Sequence, residues 1–111
     1  MYINVENKKT YIATGSKEHI EGSMGITFIH GTAMDHTVWT LASRHFARLG
    51  LNILAVDLPA HGHSEGDLIP SIEGMADWVI KAMDAAGLEK SIIVGHSMGS
   101  LVAFDVAARY P

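Results

Sequence analysis

The 111-residue chain contains no cysteine, which removes disulfides, thiolate metal sites and cysteine nucleophiles from consideration. Positive charge is scarce: eight Lys and Arg stand against twelve Asp and Glu, a net charge of −4, with no basic cluster. A surface that tracks phosphates needs concentrated cations, so no nucleic acid partner is expected. No apolar run approaches the roughly 20 residues needed to cross a bilayer. The opening residues Met1 to Lys9 place their charges after the apolar positions and lack the apolar core of a signal peptide. No membrane partner and a cytoplasmic location are therefore expected. Neither a Walker A loop nor a dinucleotide fingerprint occurs, so no cofactor is expected.

What is present is apolar: 48% of the residues are hydrophobic and only 18% are charged. That suits the interior part of a larger domain better than a small one that covers its own surface. Tyr2–Val5 and Thr10–Ala13 read as a hairpin around the polar turn Glu6-Asn7-Lys8-Lys9, and residues 14–25 as a polar connection. From Ile26 onward, apolar strands (Ile26–Ile29, Ile53–Val56, Ile92–Val94) alternate with amphipathic helices, the pattern of parallel βαβ units. Val38, Leu41, Ala42, His45, Phe46 and Leu49 share one face of the first helix, with Asp35 or Thr37 able to cap its start and Gly50 its stop. The second helix spans residues 71–86, capped by Ser71 and stopped by Gly87. The third, Leu101 to Tyr110, is apolar nearly all round and is expected to be buried on several sides.

Ser97 lies in Gly95-His96-Ser97-Met98-Gly99, between the third parallel strand and the third helix. A Gly-x-Ser-x-Gly run at that junction is a nucleophile elbow, a tight turn that lifts one hydroxyl above the sheet edge. The oxyanion formed by attack on a carbonyl needs two preorganised N–H donors. Met98 supplies one by position. Thr32 in His30-Gly31-Thr32-Ala33, directly after the first parallel strand, is the choice for the other, with Ala33 next in line; His30, Gly31 and Ala33 are read as binding residues around it.

A third block, Asp57-Leu58-Pro59-Ala60-His61-Gly62-His63-Ser64, follows the second parallel strand. His96 adjoins Ser97, diverges from it and is expected to pack beneath the turn. His30, His61 and His63 sit at the carboxyl ends of strands, where ligands bind such sheets, and each is weighed as a general base. Asp57 reads as an acceptor that holds its loop. A metal centre on His61 and His63 with Asp57 or His36 completes no recognised zinc spacing, so no metal is assigned. Trp39, Trp78 and the methionines read as packing.

The three blocks together resemble the α/β-hydrolase superfamily: a His-Gly oxyanion loop, an Asp-x-x-Gly-His-Gly-x-Ser loop in which Ala60 replaces the first glycine, and a Gly-His-Ser-x-Gly elbow. The resemblance covers essentially the whole chain. It implies Ser97 as nucleophile and an esterase- or lactonase-type serine hydrolase acting on a small-molecule acyl substrate. It also implies that the acid and the histidine follow later strands, beyond Pro111. The expected fold is thus α/β: an N-terminal β-hairpin and parallel βαβ units of one hydrolase domain over residues 1–111, truncated after the elbow helix and inactive alone. A second chain or segment is expected to supply the missing strands. The competing reading is a catalytically inactive short chain that binds a partner through its exposed sheet edge.

Overall fold

In a computed structural model that describes residues 1–110, the strands are β1 (Tyr2–Val5), β2 (Lys8–Ala13), β3 (Gly25–Ile29), β4 (Asn52–Val56) and β5 (Ser91–Gly95), and the helices are α1 (Thr40–Arg48), α2 (Ile72–Ala85) and α3 (Met98–Arg109). Pro111, after which the sequence reading places the missing half, lies outside the described residues. The five strands form one sheet in the order β1-β2-β4-β3-β5. β1, β2 and β4 pair antiparallel, and β3 pairs parallel with both β4 and β5.

The fold matches the α/β expectation, with local corrections. The hairpin turn contains two residues rather than four, because Glu6 and Asn7 both take positive φ, 52° and 62°, and Val5 then pairs directly with Lys8. Such a turn matches the natural twist of paired strands. Every residue of β3 and β4 is buried, as continuous apolar runs covered on both faces should be. One face carries Ile29, Leu54 and Val56, which pack in one cluster with Trp78 and Val79 of α2 and Val102 and Val106 of α3. The other carries Ile26, Phe28, Ile53 and Ala55 with Ala47 and Phe46 of α1. Ser71 caps α2 by accepting from the Gly74 N–H at 3.0 Å.

The expected inward face of α1 is wrong in part. Leu41 is 82% exposed, and Val38 and Leu49 also face solvent, whereas Ser43 and Ala47 are buried. The cause is the loop after β2: a Cβ on Gly15 would sit 2.6 Å from the Ser43 carbonyl oxygen and 2.8 Å from the Ala47 Cβ. Only small residues admit that approach, so the inward face does not read as apolar. A short 3₁₀ turn, His36–Trp39, precedes α1, with Asp35 as its cap and Trp39 stacked on Phe28 at 4.8 Å.

The elbow helix also differs from expectation. It starts at Met98, three residues earlier than read, and only one side of it is buried, through Gly99, Val102 and Val106. Phe104 is 77% and Leu101 59% exposed, and Ile92 on β5 is 51% exposed. Among the described residues, no helix is long and apolar enough to cross a membrane.

Candidate active site

The carboxyl ends of β3, β4 and β5 deliver three loops to one edge of the sheet. The chain passes from β3 to β4 on one side and later to β5 on the other. Such a reversal opens a crevice at the strand ends, where ligands of α/β sheets bind.

Ser97 occupies the tip of the β5–α3 turn at φ 56°, ψ −120°. A side-chain-bearing residue there stores roughly 1–3 kcal/mol of backbone strain. The turn is tight enough to exclude any Cβ at its glycines. On Gly95 a Cβ would lie 2.1 Å from the Gly99 carbonyl oxygen, and on Gly99 it would lie 2.2 Å from the Ile29 oxygen and 2.5 Å from the His30 oxygen. The elbow is thereby pressed against the end of β3, where the His96 N–H donates to the Ile29 carbonyl at 3.0 Å. His96 is consequently exposed and not packed beneath the turn, because backbone already fills that space.

The β3 loop meets the elbow at Gly31, whose hypothetical Cβ would be 3.1 Å from the Ser97 Cβ. Thr32 and Ala33 follow at the surface, in a turn closed by the Met34 N–H to the Gly31 carbonyl at 3.2 Å. Ala33 takes φ 60° there. The N–H groups of Met98, Thr32 and Ala33 have no hydrogen-bond acceptor among the described residues. That leaves donors from two loops around Ser97.

His30 is placed differently from its neighbours. Its side chain is fully buried, Nδ1 is 2.8 Å from the Gly31 carbonyl oxygen, and Nε2 accepts from the Leu58 N–H at 3.1 Å. Burial holds its pKa below the ordinary value near 6.5, against the opposing hydrogen bond to Gly31. The unfolded chain therefore takes up this proton first on acidification. Stability is expected to be intact above pH 6.5 and to fall as pH drops below it toward the lowered value, by at most about 1.4 kcal/mol per pH unit. Urea midpoints between pH 7.5 and 5.5 measure this, and a smaller slope in His30→Asn assigns it.

Asp57, fully buried, is the hub of the β4 loop. Its Oδ1 accepts from the His36 backbone N–H at 2.7 Å and faces His36 Nδ1 at 2.9 Å, while Oδ2 accepts from the His63 N–H at 2.9 Å. This agrees with the reading of Asp57 as a loop-holding acceptor. Asp35, His36 and Asp57 bring potential ligand atoms within 4.8 Å of one another. Asp35 Oδ1, however, already accepts from the Thr37 N–H and hydroxyl, and both Asp57 oxygens are engaged as described. His61 packs at a tilt against His30, with ring centroids 4.9 Å apart, and turns Nδ1 to the Pro59 carbonyl; His63 packs edge-on against Tyr11. The His36 pairing was missed as such in the sequence, since 21 residues separate it from Asp57.

Ala60 takes φ 65° in the turn that the His61 N–H closes onto the Leu58 carbonyl at 2.9 Å. After Pro59, that third turn position calls for glycine. Ala60→Gly is expected to stabilise by about 0.5–1 kcal/mol, the left-handed penalty less glycine's extra chain entropy. A thermal melt that moves down instead would contradict it.

Residues 26–111 match the family model described as alpha/beta hydrolase fold, and the chain belongs to this family. It is 36% identical over 91 residues to the dihydrolipoyllysine-residue acetyltransferase component of the acetoin cleaving system of Cupriavidus necator, covering 81% of this chain and 24% of that protein. It is 33% identical over 95 residues to the pimeloyl-acyl-carrier-protein methyl ester esterase of Citrobacter koseri, covering 82% of this chain and 34% of that protein. The enol-lactonase of Burkholderia xenovorans superposes with a TM-score of 0.84 at 24% identity, over 99% of this chain and 42% of that one, a likeness of fold. The chain thus spans about a quarter to a third of the curated relatives' length.

Proposed function

We propose that the complete protein is a serine hydrolase that works by acyl transfer on a small ester-like substrate, of esterase or lactonase type. The observation that carries this reading is Ser97, held at positive φ on an elbow whose two glycines admit no side chain. Such strain in a non-glycine residue persists where function requires that side chain to project. The esterase among the relatives supports the substrate class.

In the reaction, Ser97 Oγ attacks the acyl carbon and its proton passes to a general base. The Met98 and Thr32 N–H groups stabilise the oxyanion. Collapse of the intermediate breaks the bond to the leaving oxygen, which takes the proton from the base. Water then attacks the acyl-serine by the same route, releasing the acid and restoring the hydroxyl. Base and acid come from the portion of the relatives' length that this chain does not span. Residues 1–111 by themselves are then catalytically silent, because a protonated serine hydroxyl is a weak nucleophile.

The same reading accounts for Ile92, Leu101 and Phe104. A further segment or second chain pairs with the open edge of β5 and covers these side chains, since an exposed apolar strand edge invites pairing. Reaction of the complete protein with a fluorophosphonate, followed by peptide mapping, is the direct test. A single adduct on the peptide bearing Ser97 is expected, insensitive to chelators. Full turnover with Ser97 unlabelled overturns the assignment.

A further inference from the structure

The carbonyl of Gly31 and the N–H of Thr32 belong to one peptide group. A trans peptide is planar, with its oxygen and hydrogen on opposite sides, so anchoring one end aims the other; the chain contains no cis bond among the described residues. The Gly31 oxygen is held twice, by the Met34 N–H at 3.2 Å and by His30 Nδ1 at 2.8 Å. The second hold is specific in its protonation. Leu58 N–H donates to His30 Nε2, so Nε2 carries the lone pair, and the single ring proton of neutral imidazole must sit on Nδ1, where the carbonyl needs a donor. The two ring contacts therefore require the same tautomer.

The ring is fully buried and sits between two loops that do not otherwise share a sequence neighbourhood. Through Leu58 it is tied to the β4 loop, 28 residues away. Gly31, whose carbonyl it fixes, lies against Ser97. The Thr32 N–H, trans to that carbonyl, is directed away from the buried ring and has no acceptor of its own among the described residues.

We propose that His30 is a positioning residue: its Nδ1–H locks the Gly31–Thr32 peptide plane and so presets the Thr32 N–H for the oxyanion, while Nε2 keys that lock to the β4 loop at Leu58. This rests on the serine-hydrolase reading for its catalytic consequence but not for the lock itself. His30 touches no reacting atom, and its influence passes entirely through the peptide. The order is established before substrate arrives, which is what makes an oxyanion donor effective.

The amide nitrogen of asparagine falls near the place of Nδ1, whereas the amide oxygen of glutamine falls near that of Nε2. In the complete protein, His30→Asn keeps a donor for Gly31 and leaves Leu58 without its acceptor; His30→Gln does the reverse. The expected result for His30→Gln is a kcat reduced by about 10²-fold, the loss typical of one oxyanion donor, with KM little changed. His30→Asn should stay within about fivefold of wild type while losing stability.

Two readouts stand apart from turnover. Amide hydrogen exchange at Met34, whose N–H shares the Gly31 oxygen with His30, should quicken at least tenfold in His30→Gln and not in His30→Asn. Nitrogen-15 shifts of the wild-type ring should show Nδ1 protonated and Nε2 bare. Equal exchange in the two variants, or a ring protonated at Nε2, overturns the lock. Failure of the fluorophosphonate to label Ser97 overturns the serine reading instead, and the tautomer and exchange results still decide the lock.

Discussion

Ser97→Ala in the complete protein is expected to lower kcat by about 10⁴- to 10⁶-fold, the span seen when members of a serine triad are removed. That is about 5–8 kcal/mol of transition-state stabilisation at 1.36 kcal/mol per decade. The KM should change little, because the hydroxyl acts in the bond-forming step and not in holding the substrate. A second measurement separates chemistry from folding. Ser97 sits at φ 56°, ψ −120°, and alanine bears the same Cβ in the same strained place, so the melting temperature of Ser97→Ala should stay near wild type. Ser97→Gly removes that Cβ and should melt higher while remaining equally inactive. A variant that is inactive and more stable marks a residue kept for its reactivity. Residual turnover within tenfold of wild type in Ser97→Ala would place the nucleophile elsewhere.

The elements most legible in the sequence are those whose signals are local. Ile26–Ile29, Ile53–Val56 and Ile92–Val94 read as buried strands because each is a short run, apolar but for Thr27; all three lie in the sheet, lengthened by a residue or two at their ends, but only the first two are buried, since β5 is the edge strand and leaves Ile92 51% exposed. The Gly95–Gly99 turn was legible because its chemistry and its place between strand and helix coincide. The inward face of α1 was not: Ser43 is polar by composition yet buried, because it is small enough to receive Gly15. The outward aim of His96 follows from the backbone of residues 29 and 30 filling the space under the elbow, a contact made across the sheet. Pairings such as His30 with Leu58 and His36 with Asp57 join loops that only the sheet order brings together. Sequence spacing carries no trace of them.

That same cross-loop dependence makes Asp57 the residue whose loss should be most damaging to stability. Asp57→Asn is nearly isosteric, so it leaves the packing intact and changes only the character of one oxygen. Asp57 accepts backbone N–H groups at both oxygens, from His36 at 2.7 Å and from His63 at 2.9 Å. Whichever way the asparagine amide turns, its NH₂ meets one of those donors. The His36 ring can exchange tautomers to suit, but a backbone N–H cannot. One buried donor is left without an acceptor, and the charge that strengthened the others is gone; together these cost about 2–4 kcal/mol. The loop cannot shift to recover the contacts, since Gly62 already lies against the carboxylate, with a hypothetical Cβ only 2.3 Å from Oδ2. Urea unfolding of the complete protein should show the midpoint falling with the slope unchanged. Leu58 and Pro59 follow Asp57 directly, so the hold of His30 on Leu58 should loosen as well, and hydrogen exchange at the Leu58 amide should quicken before the global transition. An unfolding free energy within about 0.5 kcal/mol of wild type would mean that His36 and His63 find other acceptors, and that the β4 loop is held by its turns alone.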